Sequence, residues 1–216
     1  MMRRRWLRAV VPIAAAVPLA SCAATYYRAL ETIGIEKRDI LVDRVEDARD
    51  AQTSAKEQFS SALEEYRSVV QIEGGELEEI YDRLNAEYER SERRAAAVGD
   101  RVDAVRSVAE DLFEEWEDEL EQFSDAQLRR QSQRLLADTR GEYERLMRAM
   151  ERAESTMAPV LTLFRDQVLI LRHNLNARAI GALETELGNI ERATAALVEE
   201  MERAIAEASR FIDAMA

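Results

Sequence analysis

From Leu77 to Phe123 an apolar residue returns every three or four positions without a break. The series begins Leu77, Tyr81, Leu84, Tyr88 and closes Leu112, Trp116, Leu120, Phe123, with Ser91 its only polar member. Thirteen steps cover 46 residues, a spacing of about 3.5, which is the seam of a long amphipathic helix. No β-strand sustains such a period, because its side chains alternate. The phase runs through Gly99, so that glycine is expected inside the helix, at a cost of about 1 kcal/mol against alanine.

A second stripe precedes it: Leu41, Val45, Ala48, Gln52, Ala55, Phe59, Leu63, Tyr66, Val70. Glu73-Gly74-Gly75-Glu76 separates the two and is the strongest turn signal in the chain. Two helices are therefore expected over roughly 26–72 and 76–123, each about 70 Å long, paired as an antiparallel hairpin. Another break falls at Phe123 to Gln127, where Ser124 and Gln127 have capping-box spacing. Beyond it two readings stand. A last stripe from Leu161 to Met215 keeps a period of about 3.6, which favours one straight helix with a turn near Ser155 to Pro159. The other reading leaves Pro159 as a kink and turns between His173 and Gly181. Both give an all-α, elongated, antiparallel and coiled-coil-like bundle of three to four long helices.

Composition narrows the class. The 216 residues include seven Gly and three Pro, too few for the turns of a sheet protein. Lys and Arg total 30 against 43 Asp and Glu, a net charge of −13, and such an acidic chain lacks the basic face that phosphate requires, so no nucleic-acid partner is expected. One His and one Cys cannot build the usual zinc, haem or Cys/His nucleophile sites. There is no Gly-rich phosphate loop, no serine elbow and no separable acid and base pair. Neither an enzyme nor a cofactor is expected.

The N-terminus reads as a targeting segment. Arg3, Arg4, Arg5 and Arg8 precede an apolar run from Ala9 to Ala20, too short for a stable bilayer span. The run ends Leu19-Ala20-Ser21-Cys22, which resembles a bacterial lipobox. Residues 1–21 are then a lipoprotein signal peptide, and Cys22 begins a single elongated helical domain, 22–216. Lipidation at Cys22 through thioether-linked and amide-linked acyl chains, palmitate among them, anchors it to a membrane. Losing 21 residues and four arginines leaves 195 residues with a net charge of −17. Ala23, rather than aspartate, resembles the sorting pattern of outer-membrane lipoproteins facing the periplasm. So acidic a body is expected to stand off anionic lipid and meet an envelope protein partner, and a homo-oligomer is compatible with a partly exposed stripe.

Three candidate sites follow. Arg172, His173, Asn174, Asn176 and Arg178 form a polar, locally positive patch, the preferred partner contact, with a turn or a hydrogen-bond network as the bland alternative. The acidic run Glu114, Glu115, Glu117, Asp118, Glu119 and Glu121 around Trp116 is most simply a solvated face, and it lacks calcium-loop spacing, so no metal site is assigned. Tyr26 and Tyr27 suit either a headgroup boundary or the bundle base.

Several strings carry a family resemblance. Tyr26-Tyr27, Glu36 through Val45 (EKRDILVDRV), Phe164-Arg165-Asp166-Gln167-Val168 and His173-Asn174-Leu175-Asn176-Ala177, together with the lipobox, resemble an uncharacterised family of proteobacterial predicted lipoproteins, a domain of unknown function. The resemblance implies an envelope lipoprotein with a helical, coiled-coil-like body and transfers no active residue. The expected function is a non-enzymatic scaffold, spacer or adaptor, with a ligand- or divalent-metal-binding helical module as the alternative.

Overall fold

The computed structural model describes residues 37–71, 77–173 and 177–215, with the backbone alone over 177–180. Four helices account for them: α1 (Lys37–Val70), α2 (Leu77–Gln122), α3 (Ala126–His173) and α4 (Ala177–Met215). No strand occurs among the described residues. The segment expected to extend the first helix back to residue 26, the Gly74-Gly75 turn and Cys22 lie outside them.

The helices form a ring in which α1 packs on α2 and α4, and α3 packs on α2 and α4. Neighbouring helices are antiparallel, as cross-helix ion pairs at two heights show: Arg101 with Asp47 and Arg83 with Glu65, Arg106 with Glu151 and Arg140 with Glu117, Lys56 with Glu202 and Arg67 with Glu191; α3 and α4, joined by Arg152 with Glu200, then run oppositely as well. The start of α1, the end of α4 and the α2–α3 connection therefore share one end of the bundle, called the base here. The other two connections form the far end.

The stripes read from sequence are the core. Leu41, Val45, Ala48, Ala55, Phe59 and Tyr66 of α1 are fully enclosed, with Val98, Val102 and Val105 of α2. The match slips by one position at the ends, where Val69, Ile80 and Phe113 are buried in place of Val70, Tyr81 and Leu112. In α2 a straight helix repeats at about 3.6 residues, so a count stepped at 3.5 drifts off the buried line toward both ends, whereas the α1 count from Leu41 to Val70 averages about 3.6 and overshoots a line that closes on Tyr66 and Val69. Gly99 lies within α2 as expected, and a Cβ there would meet Glu154 Oε1 of α3 at 3.3 Å.

Two expectations need correction. The chain does not turn between Ser155 and Pro159, because α3 runs straight through to His173. Pro159 removes the N–H owed to the Ser155 carbonyl, but both residues are exposed, so water reaches that carbonyl. α3 ends at His173 and α4 begins at Ala177, an interval of three residues, too short to disturb the apolar phase, which is why the stripe imitated one helix. The cap of α3 is also not Ser124. Asp125 Oδ1 accepts from the backbone N–H groups of Gln127 at 2.6 Å and Leu128 at 3.2 Å, which makes Asp125 the N-cap.

Candidate functional site

At the base, α2 and α3 continue past the described ends of α1 and α4. Trp116 is half-buried there, and its Nε1 donates to Ser132 Oγ of α3 at 2.9 Å. Beside it lies a cavity of about 110 Å³ bounded by all four helices, with Leu112, Trp116, Leu135 and Met215 giving it an apolar wall and Arg38 and Thr139 a polar one. Leu128 and Leu135 are 50% and 57% exposed, core-like leucines of α3 left uncovered at this end.

The acidic run around Trp116 does not gather into one site. Glu115 pairs with Lys37 of α1 at 2.9 Å, whereas Glu117 accepts from Arg140 of α3 at 2.6 Å, on the other flank of α2. The Arg140 guanidinium, by hydrogen bond and then by charge, holds the Glu117 carboxyl below its ordinary range. Among the described residues no three Asp, Glu, His or Cys side chains are placed to hold a metal ion.

The patch Arg172 to Arg178 straddles the far end. Arg172 and His173 are exposed in the last turn of α3, where cations suit the carbonyl end of a helix. Asn174 and Asn176 lie outside the described residues, and Arg178 is placed only as backbone in the first turn of α4. Base and far end are thus separated by the length of the bundle.

A polar layer inside the bundle is the feature that sequence periodicity revealed least clearly. Glu87 of α2 is buried and accepts from Gln58 Nε2 of α1 at 2.6 Å, and its carboxylate also holds Arg90. Tyr66, fully enclosed, donates to the Leu183 carbonyl of α4 at 2.8 Å and meets the Phe164 ring edge-on at 6.1 Å. Burial, with a smaller contribution from Glu186, raises the Tyr66 phenol far above its ordinary range. These contacts tie α1 to three neighbours and carry no catalytic geometry.

The arrangement defines a class: an antiparallel four-helix bundle joined in simple up-and-down order. The chain belongs to the family described as a protein of unknown function, DUF2959, whose model matches residues 26–215. No curated protein matches, and no solved structure does. Among the described residues no helix is long and apolar enough to cross a membrane.

Proposed function

We propose that this protein is a lipid-anchored, non-enzymatic scaffold, spacer or adaptor of the bacterial cell envelope, held at Cys22 in the outer membrane and facing the periplasm. One observation carries the reading: a cationic stretch, a short apolar run and Leu19-Ala20-Ser21-Cys22 stand fifteen residues ahead of a rod of long helices. A spacer needs reach, and the 48 residues of α3 rise about 72 Å. Lys37, the first described residue after Cys22 in sequence, lies at the base of the bundle. The far end, with exposed Arg172 and His173, is then the surface offered to a partner.

Metabolic labelling with a palmitate analogue, followed by membrane fractionation, tests the anchor. The wild-type chain is expected to carry label and to fractionate with outer membranes, and Cys22→Ala to lose both properties. Label retained by Cys22→Ala, or a wild-type chain found unlabelled in the soluble periplasm, overturns the reading. A photoreactive residue at position 172, crosslinked in intact cells, then identifies the partner.

A further inference from the structure

The outer faces of α2 and α3 carry opposite charges in matching order. Helix α2 holds sixteen carboxylates against six arginines. Helix α3 holds nine arginines against six carboxylates. On α2, Asp100, Asp103, Asp111, Glu114, Asp118 and Glu121 keep the three- and four-residue spacing of one helix face, with Ser107 filling the gap. On α3, Arg130, Arg134, Arg145, Arg148 and Arg152 do the same, with Ala137 and Gly141 between them. All these charged side chains are exposed except half-buried Asp111, and the buried residues of each helix lie on its other side.

Most of this charge is unspent within one copy. Asp100, Asp111, Glu114, Asp118 and Glu121 make no ion pair or hydrogen bond with the described residues, and neither do Arg130 and Arg134. Arg145 and Arg148 reach only Glu142 and Glu144, one turn away on their own helix, Asp103 pairs with Arg106 of its own helix, and Arg152 with Glu200 of α4. Such exposed pairs are weak and readily exchanged.

Height along the bundle decides what these faces fit. The antiparallel register of α2 and α3 is fixed by Phe113 against Tyr143 and by Arg106 with Glu151. To within about half a helical turn, that register sets Asp103 level with Arg152, Asp111 with Arg145 and Glu121 with Arg134. A two-fold axis parallel to the helices leaves every residue at its own height. It therefore brings α2 of one copy against α3 of the other with these carboxylates and arginines at matching heights, and does so twice. Small residues Ser107, Ala137 and Gly141 occupy the middle of the faces, beside a groove of about 570 Å³ floored by Leu120 and Leu136.

We propose that a second copy of this chain docks on the outer face of α2 and α3, forming a parallel, side-by-side dimer with isologous contacts. An anionic lipid surface would suit the arginines of α3 and be repelled by the carboxylates of α2, whereas a second copy satisfies both.

Charge exchange tests the dimer in the full chain, by sedimentation in neutral detergent at low ionic strength. Wild type is expected to dimerise, and to dissociate above about 0.5 M salt, where the screening length is about 4 Å. Arg130→Glu with Arg134→Glu, or Asp118→Arg with Glu121→Arg, should each raise the dissociation constant roughly tenfold or more. All four substitutions together should restore pairing, and an equimolar mixture of the two double variants should form a heterodimer, which also shows that both are folded. A wild-type chain that stays monomeric at all concentrations overturns the proposal. So does a dimer indifferent to both reversals. Loss of anionic-vesicle binding on Arg130→Glu with Arg134→Glu, in a chain that never self-associates, assigns the arginines to lipid instead.

Discussion

Gln52 is fully enclosed in α1, and neither its Nε2 nor its Oε1 has a hydrogen-bond partner among the described residues. An orphaned amide of this kind costs about 1–3 kcal/mol, and leucine has a similar volume. Gln52→Leu is expected to stabilise the bundle by about 1–2 kcal/mol in urea unfolding. A loss of stability would show that the amide is paired by interior water. Tyr66 supplies the second prediction at this scale. Burial raises its folded pKa, so the neutral phenol stabilises the bundle fully below the unfolded value, about 10. That contribution fades as pH climbs beyond it. Tyr66→Phe should be less stable at neutral pH by about 1 kcal/mol, through the lost bond to Leu183, yet should lose less on titration above pH 10. Parallel unfolding curves across pH 7 to 11 would defeat this account. The stripe already placed Gln52, Ser91 and Tyr66 at core positions. Their partners depend on which residues two other helices bring to the same height, which no single-helix period contains.

At the scale of the helix, local chemistry was legible to within a residue and topology was not. The Phe123 to Gln127 break was visible, but Ser124 and Asp125 are both good caps, and only the geometry puts Asp125 Oδ1 against two N–H groups. Asp125→Ala should cost about 1 kcal/mol, with Ser124→Ala close to neutral, in the same denaturation assay. Pro159 misled because a proline near a helix start and a proline on the exposed side of a continuous helix look alike in sequence. Since its neighbourhood is solvated, Pro159→Ala should restore an i to i−4 bond and stabilise the bundle by about 1–3 kcal/mol. A destabilised variant would mean that α3 depends on a bend at this point. The arginine stripe of α3 was equally hidden, because Arg130 and Arg152 align only if one helix carries both.

For the whole molecule, the ring of four antiparallel helices puts Lys37 and Met215 at one end and no described terminus at the other. That places two mechanical behaviours in one body. Tension applied between Lys37 and Met215 peels α1 and α4 away from the base one turn at a time, breaking few contacts at once. Tension between Lys37 and a handle at Arg172 runs along the helix axes and loads the seams in shear, where many side-chain contacts must yield together. Single-molecule stretching from these two pairs of handles should therefore give a distinctly higher unfolding force for the second pair, and equal forces would refute the argument. A protein built this way is soft to a pull on its ends and stiff to a pull along its length. Such a rod would transmit strain along its length between whatever grips its two ends.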